Sequence, residues 1–225
     1  MNIVGCGYRD WTLEIFRNIG RQENVNMSVL TSPSSVTPSV LDGLRPDLVL
    51  FYGWSWIVPR DIVEKYLCLC LHPSPLPEYR GGSPLQHQIL ANERMSAVSI
   101  FRMTEEMDAG PLCFRESFSL DGTMDDIFRR IVFIGIRATK TIISKLRNDS
   151  LRFWPQKTDG EVKTHQRRKP HESEITIDEI RNSPARYLHN KVRALADPYP
   201  NAFIVCGDGR KLYLTKAFIE EEKES

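Results

Sequence analysis

Short apolar runs and amphipathic stretches alternate along the chain as far as Trp154. Residues 2–4 are an apolar run closed by Gly5 and Gly7. Asp10 is placed to cap a helix in which Trp11, Ile15 and Ile19 share one face, and Gly20 ends it. Val25, Met27 and Val29 alternate with polar residues, the period of a strand. A Ser/Pro-rich loop then leads to a short helix over 38–44. Residues 47–51 run from Asp47 into an unbroken apolar series, as in a strand buried on both faces. Pro59 opens a short helix to Tyr66, and 67–71 read as another buried strand. A helix over 85–90 and strands over 97–103 and 112–120 follow. The Asp121-Gly122 turn leads through Thr123 into a long helix to about Leu146, with Ile127, Ile131, Ile134, Ala138 and Ile142 near one face.

This alternation predicts an α/β fold with a Rossmann-like, doubly wound, mostly parallel sheet. Ligands of such sheets sit outside the carboxyl ends of the strands. Two loops fall at such ends, 52–59 and 72–84. The pattern changes after Trp154. Residues 160–173 are polar and basic, a linker or an extended crossing. Residues 175–180 and 184–196 read as helices, 202–205 and 211–215 as a hairpin around Gly207 and Gly209, and 220–225 as a solvated tail. The expected division is a main domain over 1–155 and a small carboxyl-terminal α+β appendage over 156–225.

Composition narrows the function classes. A formal charge of +1 supplies no global field for nucleic acid. The five cysteines, Cys6, Cys68, Cys70, Cys113 and Cys206, are odd in number and lack a framework spacing. They read as reduced thiols of a cytoplasmic protein. Cys68 and Cys70 have no second Cys/His pair at ligand spacing, so no metal is expected. No signal-peptide pattern opens the chain, and no apolar run reaches the length of a membrane span.

The loop from His72 to Pro84 reads His-Pro-Ser-Pro-Leu-Pro-Glu-Tyr-Arg-Gly-Gly-Ser-Pro. Its prolines restrict φ, and Gly81 and Gly82 allow turns that side chains would block. Such a loop suits either a site or a capped surface connection. Asp108, in the acidic stretch 104–110, suits either an acid/base partner for an imidazole or a solvated turn. Trp54 and Trp56 at a strand exit suit either core filling or a ligand platform.

The His72–Pro84 motif, followed by Met-Asp-Ala-Gly-Pro at 107–111, resembles the signature of the formyltransferases that use N10-formyltetrahydrofolate. That family includes enzymes acting on methionyl-tRNA, glycinamide ribonucleotide and amino sugars. The likeness is strongest over 47–112, and weaker likenesses at 166–175, 188–195 and 198–203 extend it into the carboxyl-terminal part. Residues 54–59 (Trp-Ser-Trp-Ile-Val-Pro) look like the folate loop of the sugar N-formyltransferases.

The resemblance implies N10-formyltetrahydrofolate as co-substrate. It places the folate near Trp54, Ser55, Trp56, Ile57, Pro59, Met103 and Asp108. It places an amino-sugar nucleotide near Ser74, Tyr79, Arg80, Gly81, Gly82, Ser83, Gln86, Asn190 and Arg193. His72 would hydrogen-bond the developing oxyanion, and Asp108 would orient His72 and accept the amine's proton. One departure stands out: the family has Asn-x-His where this chain has Cys70-Leu-His72. A thiol is a weak donor, so a backbone amide or Gln86 is expected to replace the asparagine. The implied partner is a nucleotide sugar, with no nucleic acid and no membrane, and the family admits a homodimer. A methionyl-tRNA acceptor is disfavoured here by the short stretch after Asp197 and the balanced charge. A folate- or sugar-nucleotide-binding relative without turnover is the non-enzymatic reading that Cys70 raises.

Overall fold

The computed structural model describes residues 1–21, 25–157 and 162–220; most of the tail, 221–225, lies outside them. The first half contains β1 (Asn2–Cys6), α1 (Asp10–Gly20), β2 (Asn26–Leu30), α2 (Pro38–Leu44), β3 (Leu48–Tyr52), α3 (Arg60–Lys65) and β4 (Cys68–His72). Then come β5 (Arg80–Gly81), α4 (Pro84–Leu90), β6 (Met95–Arg102), β7 (Leu112–Ser119) and α5 (Met124–Arg147). The carboxyl-terminal part holds β8 (Thr164–His165), α6 (Ile177–Asn182), α7 (Ala185–Ala194), β9 (Ala202–Val205) and β10 (Lys211–Leu214).

The main sheet has the order β2-β1-β3-β4-β6-β7. Its first four strands are parallel, and β6 and β7 extend it antiparallel. The parallel core is as the alternation predicts. The antiparallel edge follows from the connection between β4 and β6, which begins and ends at the same edge of the sheet. The connection 73–94 therefore both leaves and re-enters the sheet at the carboxyl end of β4.

Both faces are covered, as continuous apolar strands require. On one face α1, α4 and α5 press Ile15, Phe16, Ile89, Ile127 and Ile131 against Ile3, Leu48, Leu50, Leu69 and Leu71. On the other, Leu41 of α2 and Ile62 of α3 cover Val4, Val49, Phe51 and Cys68. Here Trp54, Val58, Cys70 and Met103 are only partly buried, so this face stays partly open beside the end of β4. The long helix α5 starts with a reciprocal cap between Thr123 and Asp126.

The carboxyl-terminal part has its own apolar cluster of Ile175, Val192, Leu195 and Ala202, and α7 packs on α4. Among the described residues no helix is long and apolar enough to cross a membrane, and no group of His, Cys, Asp or Glu could hold a metal ion.

Candidate active site

Alternate residues of a strand share a face, so Cys70 and His72 of β4 project the same way. His72 ends the strand and is 6% exposed. Its Nε2 is 2.9 Å from the Tyr79 carbonyl, which can only accept, so Nε2 carries a proton. Its Nδ1 faces Asp108 Oδ2 at 3.6 Å.

The loop beyond His72 is held by its carbonyls. Gln88 donates to Pro73, Ser99 to Ser74, Arg115 to Leu76, and Ser74 to Glu78. Ser74, expected at the acceptor, is fully buried with its hydroxyl engaged on the Glu78 carbonyl. It braces the loop instead. Tyr79 takes a left-handed φ of 57° and its hydroxyl donates to Glu93.

Asp108 arrives from the opposite edge of the sheet. The end of β6 lies beside the start of β4, where Met103 N–H donates to the Cys68 carbonyl. The loop from 103 to 111 then folds back about 10 Å along β4, three residues of strand rise, to reach His72. Asp108 adopts a left-handed φ of 52°, and its Oδ2 accepts the Gly81 N–H at 2.8 Å. Its Oδ1 has no hydrogen-bond partner among the described residues.

Gln156 locks this loop, and no sequence signal marks it. Its Nε2 donates to the carbonyls of Asp108 and Gly110, each at 2.8 Å. Its Oε1 accepts from Arg80 Nη2 at 2.8 Å. Arg80, expected at the acceptor, is 8% exposed and serves this brace, with Glu106 3.5 Å from Nη1. Gln156→Ala removes the clamp and is expected to lower kcat by roughly 10–100-fold through misplacement of Asp108. Steady-state kinetics beside a melting curve checks this; an unchanged kcat would show that the loop holds itself.

Gly81, Gly82 and Ser83 were also expected at the acceptor, but the structure uses them otherwise. The polar segment 162–173 is a crossing: β8 pairs with β5, Arg80 opposite Thr164 and Gly81 opposite His165. A Cβ on Gly81 would lie 2.2 Å from the His165 carbonyl oxygen, and one on Gly82 would lie 2.5 Å from Arg167 Cα. Ser83 Oγ accepts the Arg168 N–H. These residues are small because a second backbone runs against them. The Tyr79 ring stacks on His165 at 5.1 Å between centroids.

Trp54 meets Phe51 and Trp56 edge-on, at 5.9 and 4.9 Å between centroids. Its indole Nε1 is buried without a partner among the described residues. Ser55 Oγ lies 2.6 Å from the Tyr8 hydroxyl. Trp56 is half-exposed, Ile57 is almost fully exposed, and Pro59 precedes α3. Met103 packs near Cys70, Leu76, Phe101 and Leu112. A flat heteroaromatic ring suits this wall, because its faces are apolar and the orphaned Trp54 N–H offers a donor to a polar ring edge. Burial first, and the charge of Asp108 second, push the Cys70 thiol well above its ordinary pKa. It therefore stays protonated and is a poor nucleophile.

The remaining expected residues lie elsewhere. Gln86 is 2% exposed, with its Oε1 buried and unpartnered among the described residues. Its neighbours Leu85 and Ile89 pack on the sheet face opposite the Trp54 wall, so it does not stand in for the asparagine missing at Cys70. Asn190 donates to Asn92, and Arg193 to Asn190 and to the Leu120 carbonyl. Both line a cavity of about 590 Å³ with Asn92, Arg94 and His189. Asn92 follows the far end of α4, a helix about 10 Å long, whereas the His72 loop enters its near end.

A doubly wound sheet with a His/Asp pair at a strand end and an aromatic wall beside it defines a group-transfer site of the formyltransferase type. Residues 26–134 match the family model for formyl transferase, and 173–225 match that for the formyl transferase C-terminal domain. The methionyl-tRNA formyltransferase of Methylobacterium sp. (strain 4-46) is 30% identical over 198 residues, covering 84% of this chain and 61% of that protein. That of Rickettsia massiliae is 29% identical over 180 residues, covering 76% and 55%. The chain thus spans between 55% and 61% of the length of these two curated relatives.

A solved methionyl-tRNA formyltransferase from Clostridium thermocellum superposes with a TM-score of 0.77 at 28% identity, covering 95% of this chain and 96% of that one. A 4-N formyltransferase from Francisella tularensis shares the fold, with a TM-score of 0.77 at 19% identity and 98% coverage of both chains. The chain belongs to the formyltransferase family, whose enzymes transfer formyl groups from formyl-folate. The Clostridium thermocellum protein corrects one expectation: a short carboxyl-terminal part does not by itself mark the sugar branch.

Proposed function

We propose that this chain moves a formyl group from N10-formyltetrahydrofolate to a primary amine on a nucleotide-borne acceptor. The observation that carries the reading is the pair of buried His72 and partly buried Asp108, 3.6 Å apart beside the Trp54 wall. The co-substrate, held along Trp54, Trp56, Ile57 and Met103, supplies the activated one-carbon unit. The chain's own groups supply positioning and proton management. The Tyr79 carbonyl keeps His72 Nε2 protonated and fixes the ring plane. A second proton on Nδ1 enters the gap to Asp108; with that nitrogen bare, two acceptors face each other. His72 then presents Nδ1–H as a hydrogen-bond donor and can release that proton. Asp108 balances the imidazolium through Oδ2, and its free Oδ1 can accept a proton from the incoming amine.

Methionyl-tRNA is the acceptor supported by the names of the curated relatives and of the similar Clostridium thermocellum chain. A nucleotide-linked deoxy-amino sugar is the second reading, favoured by the likeness of 54–59 to the folate loop of the sugar branch. Incubation with formyl-folate and either methionyl-tRNA or a panel of amino-sugar nucleotides separates them, read by the mass gain of the amine. Binding of these ligands without formylation of any amine would sink the enzymatic reading.

Cys70→Asn restores an amide donor at the position where the family carries one, and kcat is expected to stay equal or rise. A large loss in the same assay would give the thiol a role of its own.

A further inference from the structure

The cavity of about 590 Å³ beside Asn190 and Arg193 is walled by four stretches of chain: the turn at 92–94, residues 121–124 at the start of α5, α7 and its exit from Arg186 to Ala196, and residues 215–217. Main and carboxyl-terminal parts both contribute, and the volume is that of a small-molecule site. Four permanent cations stand in the lining, Arg94, Arg186, Arg193 and Lys216, with two carboxylates, Glu93 and Asp121. Four against two leaves an excess of two positive charges, more than the formal +1 of the whole chain.

These cations are largely unpaired. Among the described residues the side chains of Arg94, Arg186 and Lys216 are exposed and make no hydrogen bond and no ion pair. Both carboxylates are tied to hydroxyls: Glu93 Oε1 accepts from Tyr79 at 2.9 Å and Asp121 Oδ2 from Ser119 at 2.8 Å. Arg193 is fixed along one edge. Its Nε donates to Asn190 Oδ1 at 2.8 Å, and its Nη1 to the carbonyls of Leu120 and Gly122 at 2.7 and 3.2 Å. Asn190, 1% exposed, is itself held by Asn92. The Nη2 group of Arg193 has no partner among the described residues. A guanidinium held in this way offers its remaining donors to an oxyanion with little side-chain freedom to lose.

Arg186 and Arg193 stand three residues before and four after His189, so the three share one face of α7. Burial first, and the charges of Arg193 and Arg186 next, hold the His189 imidazole below its ordinary pKa. Its Nδ1 is buried without a partner among the described residues. The ring thus reports a positive field that no neighbouring acceptor offsets.

We propose that this cavity binds a small phosphorylated metabolite carrying at least two negative charges, at a place apart from the formyl-transfer site. Two charges match the excess in the lining. A phosphate group, with three oxygens, can meet cations that arrive from different stretches of chain. A cavity closed between two parts of the chain suits a metabolite better than a polymer backbone. Its one link to the catalytic pair runs from Glu93 to the Tyr79 hydroxyl, and from the Tyr79 carbonyl to His72 Nε2. The binding does not depend on formyl transfer.

The test is calorimetric titration of the full chain with pyrophosphate, fructose 1,6-bisphosphate and citrate, for wild type, Arg94→Gln and the double variant Arg186→Gln/Lys216→Gln. Because these side chains hold nothing else in place, the melting curves should match wild type. Both phosphate probes should bind more tightly than citrate, and each variant should weaken them about tenfold, as loss of a charged hydrogen bond does. Saturating pyrophosphate should raise the pH at which His189 titrates by NMR, because an anion beside Arg186 and Arg193 offsets their field. Binding of 5-formyltetrahydrofolate should not change in any variant. Phosphate probes that bind no more tightly than about 1 mM, or equally well to wild type and both variants, overturn the proposal. So does citrate as the tightest probe, or a single-stranded oligoribonucleotide that binds through Arg94 while the small phosphates do not.

Discussion

His72→Asn is expected to lower kcat by about 10²–10⁴-fold, the range associated with a positioned proton-transfer group, while folate binding and the melting temperature hold near wild-type values. The imidazole is the group that bridges the two halves of the site. Its Nε2 is tied to the Tyr79 carbonyl and its Nδ1 faces Asp108. Asparagine keeps a polar group at the end of β4 but cannot carry a positive charge opposite the carboxylate. The Trp54 wall and the Gly81–Asp108 hydrogen bond do not pass through the ring, so ligand affinity and fold have no reason to fail with it. Single-turnover kinetics with saturating formyl-folate, beside a direct folate titration, checks both halves. Turnover at the wild-type rate would remove His72 from the chemistry.

A larger structural effect is expected from Gly110→Ala. The added Cβ would sit 1.8 Å from the Arg102 carbonyl oxygen and 3.2 Å from Thr104 Cγ2. Arg102 cannot retreat, because β6 holds it opposite Leu69 and its N–H donates to Pro111. The loop must move, and it carries Asp108 two residues earlier and the Gln156 clamp on the Gly110 carbonyl itself. Overpacking of this kind costs about 1–3 kcal/mol of stability. A displacement of about 1 Å at Asp108 adds about a 10²-fold loss in rate. Urea denaturation and kcat should therefore fall together in this variant, whereas Gln156→Ala should lower kcat with the smaller stability loss of one clamp. Wild-type stability in Gly110→Ala would mean that the loop has room the close contact denies.

Much of this site is legible in the residues alone. The continuous apolar runs at 48–51 and 67–71 become β3 and β4, because a strand covered on both faces needs apolar residues at every position. The proline-rich loop after His72 falls at a strand end, and the family motif brings Asp108 into the same site. The linker after Trp154 is harder, since a polar, basic stretch has no period from which to read a two-residue pairing with Arg80 and Gly81. The site residues expected from the resemblance divide along the same line. Ser74, Arg80, Gly81, Gly82 and Ser83 carry the motif, and their visible contacts build and brace the loop. Asn190 and Arg193 hold α7 at the far end of α4.

By itself the sequence determined the α/β pattern, the His72 loop, the aromatic wall at Trp54 and Trp56, and the thiol at position 70. These depend on local periodicity, restricted dihedrals and residue chemistry, all of which act within a few neighbours. Only the tertiary structure decided that the Asp108 loop folds back along β4 to meet His72, that Gln156 clamps it, and that Arg9 stacks on Tyr199. Those contacts join residues up to 190 positions apart in number, as Arg9 with Tyr199. Such pairs are selected by how sheet, loops and crossing segment pack, and not by any pattern along the chain.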